Sequence, residues 1–475
     1  MTLSDIISHE WKSKLSHPVT LFNIVLFAAI LIFGAFSGGL DRDQRLAKIS
    51  AHNQEIEAKT DKWLSDAKAW EHNGSDSGVS ARSGSALMLT FPSALNPGVL
   101  GDFAIGQSDF LPFTAEVSLR QSDVKLFSKY EFDDPVSLAL GAFDLSKAVI
   151  FILPLLLVVL SFDVLSSDRD SNRLGLTLAQ GINLRTFFWR RLFVRGSIVL
   201  VLTIAVSSIM FVMQTNEFTP ERLSFFAIWL AGVVLYALFW MGIISFVASK
   251  NRSGETNVIT LLILWAGFTL IIPAATTSVT ETLYPTPSRL AYMAETREME
   301  NQASLEIADI ANRYLLDHPE LSVSSESEMP AFFKTSFLVT STIDEATRPI
   351  LEDFEQTALE REKTLQLLRY VSPAITTHIL FNDLAGTSSK RHGEYQKAVR
   401  DFKSQYAQRV GPVIMANQRL DVRNFNTIPT FHFPEQSVAD VMANNLISLM
   451  FLVLVSGILM ITADKRIRLI KGPNQ

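Results

Sequence analysis

The chain contains no cysteine, which excludes disulfide bonds, thiolate metal sites and cysteine nucleophiles. It also lacks a P-loop for nucleotide phosphates, because the nearest stretch, 386–390, has the wrong spacing and no apolar strand before it. Neither an H-E-x-x-H zinc motif nor a G-x-S-x-G nucleophile elbow occurs. His392 near Glu394 is interpreted as a solvated pair on a helix. We therefore expect no enzyme here, with no catalytic residue, metal site or cofactor site in this chain.

Strong net charge is absent as well: the formal value is −6, so no basic character indicates a nucleic-acid partner. Long apolar runs are what the chain does contain, near 19–39, 145–163, 194–213, 223–248, 257–279 and 440–462. A helix needs roughly 20 apolar residues to cross a bilayer, and a lone segment in lipid must pair its peptide groups within itself. The sequence therefore predicts a polytopic α-helical membrane protein with six transmembrane helices in contact with lipid.

Two long polar blocks, 40–143 and 280–438, separate these runs and are predicted to be folded insertions. The first begins with a polar helix near 41–71, whose apolar seam recurs every seven residues. Strand-like alternations follow at 113–119 and 124–126, so this insertion is predicted to be mixed α/β. The second insertion is predicted to be mainly α, with helical patterns over 287–316, 341–370 and 391–410.

Positive charge is concentrated on one side of the predicted membrane. Lysines and arginines of the short flanks fall on one alternating set of loops, whereas the short loop 214–222 on the other side carries only Arg222. Because cytoplasmic flanks are enriched in Lys and Arg, both termini are predicted to be cytoplasmic and both insertions extracytoplasmic. The first apolar run is longer than the core of a signal peptide, so we expect an uncleaved anchor.

The order of segments follows from this topology. Residues 1–17 show an apolar stripe at helical spacing and predict an amphipathic helix lying in the membrane interface, ended by Pro18. The spans are predicted at 18–39, 144–163, 194–213, 223–248, 257–279 and 440–463, with a cytoplasmic loop at 164–193 and a basic cytoplasmic tail at 464–475.

The loop after the second span is the candidate site for coupling to another protein. Its polar start can cap a helix through Ser167 or Asp168, and leucines follow before an arginine-rich return to the membrane. A short helix parallel to the membrane can act there as a rigid lever, although the composition fits a merely interfacial hairpin equally well. The candidate residues are Asp168, Arg169, Asp170, Leu174, Leu176, Leu178 and Arg185.

The spans lack ionisable residues away from their ends. Carriers driven by protons or sodium generally need Asp, Glu or His within the bilayer, so any transport takes its energy from a separate ATPase subunit. Asn23, Asn444 and Asn445 are the main polar side chains inside the spans. Hydrogen bonding between helices is the favoured interpretation, with contact to a transported substrate as the alternative.

One stretch of this sequence resembles a known family. Residues 135–166, and the run Ser166 to Gly181 with its acidic–Arg–acidic core, leucine spacing and glutamine, look like the ABC-2 type permeases. The resemblance is closest to the branch with a large extracytoplasmic insertion, called DUF3526, whose pattern near S-x-E-R-E-x-G-T-L-x-L-L-L-S-Q-P differs here at 172–173 and at Gly181. The resemblance also extends to Ser372-Pro373, to Leu384 through Thr387 and to the six-span plan.

The resemblance implies a permease subunit in a bacterial inner membrane, with periplasmic insertions. Its implied partners are a second permease, the same chain or a related one, and two ATPase subunits that hold ATP and Mg²⁺. Residues 1–17 would be the elbow helix and 166–185 would contain the coupling helix. In it, the charged residues 168–170 would hold the lever and the three leucines would fill a groove of the ATPase. Export is favoured over import.

A second hypothesis starts from the size of the two insertions and from the lack of an evident polar cavity in the spans. The chain would then be an ATPase-coupled mechanical transmitter that acts on a periplasmic or outer-membrane partner and moves no cargo across the bilayer. The sequence does not identify the cargo or this partner.

Overall fold

The structure is a computed structural model that describes residues 11, 16–80, 82–106, 111–127, 143–171, 174, 183–214, 218–285, 297–298, 301–302, 305–306, 329 and 331–469. The predicted helices 1–17 and 287–316 lie almost entirely outside this part of the chain, as do Leu176 and Leu178.

The described chain is mostly helical, with one small sheet. Its helices are α1 Pro18–Asn73, α2 Leu145–Asp170, α3 Leu184–Met213, α4 Pro220–Ala248, α5 Gly254–Leu283, α6 Ala331–Leu368, α7 Pro373–Ala385, α8 Ser389–Met415, α9 Val422–Phe425 and α10 Val438–Leu469. The strands are β1 Thr90–Ala94 and β2 Thr114–Ser118. Six of these helices, α1 to α5 and α10, are long and apolar enough to cross a membrane, as the sequence predicts. They indicate a membrane protein.

Helix α1 joins two parts of the molecule. Pro18 occupies its first turn, where the missing N–H costs no hydrogen bond. At 56 residues the helix is about 84 Å long, since each residue adds about 1.5 Å, and only its first third is apolar. Phe27 and Leu31 therefore pack into the bundle of spans, whereas Trp63 and Ala67 belong to a second core.

The bundle is centred on α2 and α4. In the most apolar stretch of each of these two helices about two-thirds of the residues are buried, compared with 11% in the corresponding stretch of α5. Trp229, Tyr236 and Trp240 of α4 are fully buried in the bundle core. Because aromatic side chains bury the largest apolar areas, α4 is the helix around which the others pack, and α1, α5 and α10 are left with apolar faces toward the surroundings.

The two insertions share one hydrophobic core, which the sequence did not predict. Phe91 of β1 packs edge-on against Tyr406 of α8, with ring centroids 5.0 Å apart, and Ser93 Oγ lies 3.1 Å from the hydroxyl of Tyr395. Buried Lys403 of α8 binds the carboxylates of Asp123, at 2.7 Å, and of Asp344, at 2.8 Å. We call the far part of α1 from Ile49, the two strands, α6 and α8 the distal body.

The strands of the distal body confirm one local prediction and correct another. β1 and β2 pair antiparallel, with Thr90 opposite Ser118 and Ala94 opposite Thr114, so the alternation at 113–119 is a strand. The alternation at 124–126 is not, because Lys125 N donates to Ser122 O at 2.9 Å and closes a short 3-10 turn.

Gly38 of α1 lets the connection between β1 and β2 approach this helix closely. A Cβ on Gly38 would lie 2.0 Å from the backbone oxygen of Asp102, whereas one on Gly457 of α10 would meet no atom within 4 Å. We expect Gly38→Ala to destabilise the protein by about 1–3 kcal/mol, the usual cost of overpacking. Thermal unfolding of the purified protein in mild detergent measures this. Gly457→Ala is the matched control and should unfold at or above the wild-type temperature; equal behaviour of both variants would contradict the packing at Gly38.

Candidate functional site

The charged ends of five helices meet at the end of the bundle opposite the distal body. α2, α4 and α10 finish there, and α3 and α5 begin there. Arginines of this end are paired with carboxylates of other elements. We call it the basic end.

Two ion pairs fix the end of α2 against α3. Arg195 of α3 is fully buried, and its Nη1 lies 2.5 Å from Asp163 Oδ1 and 3.0 Å from the Leu160 carbonyl oxygen. One turn earlier in α3, Arg191 binds the carboxylate of Asp168 and donates to the Val164 carbonyl oxygen at 3.3 Å. Because charge-assisted hydrogen bonds are the strong ones, the last turn of α2 cannot move without α3.

Arg169 connects the same turn to the loop between α4 and α5. Its Nη1 donates to the carbonyl oxygen of Asn251 at 2.6 Å and to Asn251 Oδ1 at 3.0 Å. Its Nη2 donates to the carbonyl oxygen of Arg252 at 3.1 Å and to Asp170 at 2.9 Å. Asn251 has a φ of 56°, a left-handed conformation that asparagine tolerates better than most residues. Arg169 therefore holds a tight turn by three bonds.

Asp464 of α10 is a residue of this end that the sequence analysis missed. Its carboxylate accepts from Arg185 Nε at 2.5 Å, from Trp189 Nε1 at 2.9 Å and from Arg468 Nε at 3.0 Å. The i, i+4 spacing of Asp464 and Arg468 was visible in the sequence, but their pairing with α3 was not. Asp464 ties the start of α3 to the end of α10.

The structure brings most of the predicted coupling residues together. Asp168, Arg169, Asp170 and Arg185 all take part in the ion pairs of the basic end. Leu174 is half-buried and packs against the core of the bundle. The other two leucines lie outside the described residues. Asp168 and Arg169 therefore join the end of α2 to α3 and to the α4–α5 loop, and Arg185 joins α3 to α10.

The asparagines of the spans have different surroundings. Asn445 is buried, and its Nδ2 donates to Asp383 Oδ2 at 2.8 Å and to the Val441 carbonyl oxygen at 3.1 Å. Asn444 is exposed, and its carbonyl oxygen accepts from Arg369 at 3.2 Å. Asn23 is half-buried on α1. Asn445 thus binds between helices, but its partner lies on α7, which is not a span.

Helix α7 inserts from the second insertion into the bundle. Phe381 stacks on Trp229 of α4, with ring centroids 3.9 Å apart, and Gly232 leaves room for the same ring. Ser372 begins the helix: its Oγ accepts from Ala374 N at 3.2 Å and donates to the Phe268 carbonyl oxygen of α5 at 2.5 Å. α7 is therefore held by α4, α5 and α10 at once.

The contact with α5 falls on a π-helical turn, and α2 contains a second one. These turns span Gly267–Ile271 and Ala148–Ile152. Trp265 Nε1 of α5 donates to the Phe151 carbonyl oxygen at 3.0 Å. The Tyr236 hydroxyl of α4 donates to the Ile150 carbonyl oxygen at 2.8 Å. π-Helical turns are rare and often lie at functional sites. Hydrogen bonds thus lead from α7 through α5 to α2, whose far end carries Asp163 and Asp168.

His392 is buried in the distal body, so its interpretation as a solvated residue is wrong. Its Nε2 lies 2.6 Å from the Pro112 carbonyl oxygen, which accepts its proton. Burial, the largest influence, lowers the pKa of His392 from 6.5 to about 4; Arg45 and Arg391 lower it further and the bond to Pro112 opposes them. The folded state therefore keeps this histidine neutral.

This buried histidine makes the stability depend on pH. The pKa of His392 is lower in the folded state than in the unfolded state, so the unfolded state binds the proton first. The protein therefore loses stability as the pH falls from about 6.5 toward 4. We expect His392→Gln, which keeps an N–H donor for Pro112, to reduce the stability difference between pH 7.5 and pH 5 by about 2 kcal/mol. Unfolding of both proteins in detergent at the two pH values measures it. An unchanged difference would show that His392 does not titrate in this way.

Comparison with known proteins identifies one region. The family model called "Domain of unknown function (DUF3526)" matches residues 289–434. In the structure this range contains α6 to α9, including the inserted helix α7. No curated protein and no solved structure matches the chain. Within the described residues, no group of three or more His, Asp or Glu side chains is arranged to hold a metal ion.

Proposed function

We propose that this chain is the transmembrane permease subunit of an ATP-driven transporter of the ABC-2 type. The observation that carries the proposal is the basic end, where Arg191 and Arg169 join the turn that closes α2 to α3 and to the α4–α5 loop, and Arg185 joins α3 to α10. A push on segment 166–185 therefore reaches α2, α3, α10 and the loop between α4 and α5. Such a surface suits a partner that delivers force.

The proposed orientation puts the basic end in the cytoplasm and the distal body outside. Lys250, Arg252, Arg466 and Arg468 lie at this end as well, and cytoplasmic flanks of spans are enriched in Lys and Arg. We propose a bacterial inner membrane as the location, with both termini cytoplasmic and the distal body periplasmic. ATP and Mg²⁺ would bind in two partner ATPase subunits.

In the proposed mechanism, closure of the ATPase subunits tilts segment 166–185 and shifts the spans as rigid bodies against a second permease, the same chain or a related one. Asp168, Arg169 and Asp170 hold the segment, and Leu176 and Leu178 would fill the ATPase groove, since Leu174 packs against the bundle instead. The distal body receives or releases the cargo, with export as the direction.

Photocrosslinking at the basic end tests this function. A benzoylphenylalanine at exposed Ser171 should crosslink, in native membranes, to a subunit that binds ATP, whereas one at exposed Ser65 in the distal body should not. Loss of transport on deletion of that subunit completes the test. Crosslinking of the ATPase at Ser65 alone would overturn the proposal.

A second candidate function, mechanical transmission without movement of cargo, is favoured by the hydrogen bonds that lead from α7 to α2. They connect α7, which lies between α6 and α8 of the distal body in the sequence, through the π-helical turn of α5 to that of α2, and α2 ends at the basic end. A periplasmic or outer-membrane partner acting on the distal body would then receive the motion.

Ser372 separates the two candidates. Under transmission, Ser372→Ala in the complex with its ATPase subunits should leave ATP hydrolysis unchanged and abolish the ATP-dependent change in labelling of a cysteine placed at Lys397. The reason is that this substitution removes the hydroxyl of Ser372. Among the contacts of the described residues, it is the one hydroxyl at the start of α7 that donates to the π-helical turn of α5. Thr282→Ala, which removes a hydroxyl bonded within α5 itself, is the matched control. A persisting labelling change in Ser372→Ala would count against transmission along this path.

A further inference from the structure

A small cavity lies where the first insertion meets the chain that leads into α10. Its volume is about 210 Å³, below the size of typical pockets for drug-sized ligands, which are roughly 300–1,000 Å³. It is lined by Asn53 of α1, Asn96 after β1, Arg391 of α8, and Phe431, Phe433 and Glu435 of the extended segment before α10. A ligand of this site would be small and would touch both insertions.

Arg391 is the buried charge of the cavity. The residue is only 3% exposed. Its Nη1 donates to the Gly386 carbonyl oxygen at 3.2 Å, and its guanidinium lies 5.9 Å from the ring centroid of Phe433. Its Nε is buried without a hydrogen-bond partner. A buried donor without a partner costs free energy, and Arg391 also lines the cavity, so its guanidinium is not fully satisfied by the protein on this side.

The backbone is shaped to admit this guanidinium. Gly386 has a φ of +68°, and a Cβ there would lie 2.0 Å from Arg391 Nη1 and 2.9 Å from the Cα of Gly98. A side chain at Gly386 would therefore displace the arginine, and the left-handed conformation disfavours one in any case. The position of Arg391 is built into two segments of the chain and is not a chance orientation of a flexible side chain.

The cavity has opposite charges on two sides. Glu435 is exposed at its edge, whereas Arg391 is buried. Among the ion pairs of the described residues, none joins these two side chains, although Glu435 and Glu394 are near enough to raise the pKa of the guanidinium against the lowering effect of burial. The rings of Phe431 and Phe433 are half-buried and line the space with the two charges.

We propose that this cavity binds a free α-amino acid with an apolar or aromatic side chain. The carboxylate accepts from the Arg391 guanidinium, as guanidinium groups favour, and the ammonium faces Glu435. The side chain lies along Phe431 and Phe433. A dianion such as phosphate suits the site less well, because Glu435 repels it. The segment 431–435 continues into α10 at Val438, so the ligand contacts the chain at the entrance of a span. This site goes beyond the proposed function and does not depend on it.

Calorimetric titration of the full chain in lipid nanodiscs tests the site. L-phenylalanine, 3-phenylpropionate, phenethylamine and inorganic phosphate are the probes, because they carry both charges, only the carboxylate, only the ammonium, and a different anion. We expect L-phenylalanine to bind roughly tenfold or more tightly than the other three, since each of those lacks one of its charge-assisted hydrogen bonds.

Two variants assign the charges. Arg391→Gln should abolish binding of L-phenylalanine. Glu435→Gln, at an exposed position where folding is not at risk, should weaken L-phenylalanine and leave 3-phenylpropionate equal or slightly tighter, so that the two probes bind alike. Arg120→Gln, an exposed arginine elsewhere in the distal body, is the control and should bind like wild type. Tighter binding of phosphate or 3-phenylpropionate, no binding of any probe, or unchanged preference in Glu435→Gln would overturn the assignment.

Discussion

Arg169→Glu is expected to uncouple ATP hydrolysis from transport while the protein stays in the membrane at normal abundance. The substitution removes three donated hydrogen bonds to Asn251 and Arg252 and places a carboxylate against two carbonyl oxygens and Asp170. The turn that ends α2 is then released from the α4–α5 loop. Since couplings between sites are typically about 1–3 kcal/mol, we expect stimulation of ATP hydrolysis by the permease to fall about 5- to 150-fold.

The measurement is ATP hydrolysis and cargo transport by the purified complex in proteoliposomes, with membrane abundance from immunoblots. Arg252→Glu is the matched control, because it makes the same change of charge in the α4–α5 loop that Arg169 contacts, and Arg169 binds only the backbone of this residue. It should retain coupling. If stimulated hydrolysis survives in Arg169→Glu, segment 166–185 does not transmit the force.

Asp163→Asn is expected to give the largest loss of stability in the bundle. Asp163 is the carboxylate that lies 2.5 Å from the fully buried guanidinium of Arg195. Removing one partner of a buried pair leaves the other charge without this compensation, which costs about 3–5 kcal/mol. The variant should therefore unfold at lower temperature in detergent and accumulate less in the membrane than wild type.

Two further variants test the cause. Asp170→Asn removes a carboxylate from the same helix end, but this side chain is 54% exposed, so its loss should cost at most about 1 kcal/mol. The double variant Asp163→Leu with Arg195→Met should regain much of the stability, because apolar side chains can replace a buried ion pair. If Asp163→Asn and Asp170→Asn were equally stable, the pair with Arg195 would contribute little.

The spans and some of the charged residues of the basic end could be predicted because their signals are local. An apolar run of about 20 residues has few alternatives to a membrane helix, and Asp168, Arg169 and Arg185 attracted attention as charges beside such runs. Their partners could not be predicted. Arg185 and Asp464 are far apart in the sequence, and nothing in either flank specifies that α3 and α10 are neighbours.

The shared core and the inserted helix were missed for a related reason. The contact of Ser93 with Tyr395 depends on how two distant insertions pack, and the alternation of either alone predicts only that one face is buried. α7 carries Thr376, Thr377, His378 and Asp383, which is too polar to indicate a helix among the spans. Its hydrogen bond from Asn445 offsets the cost of burying Asp383. π-Helical turns have no sequence signal that we could use.

The sidedness of the basic end is the claim on which the proposed function depends, and cysteine labelling tests it most directly. The chain has no cysteine of its own, so single cysteines can be placed at exposed Lys250, at the basic end, and at exposed Lys397, in the distal body. With a membrane-impermeant maleimide on cells with a permeable outer membrane, we expect labelling at 397 in intact cells and at 250 only after lysis. Labelling at 250 from outside intact cells would contradict the proposed coupling to a cytoplasmic ATPase.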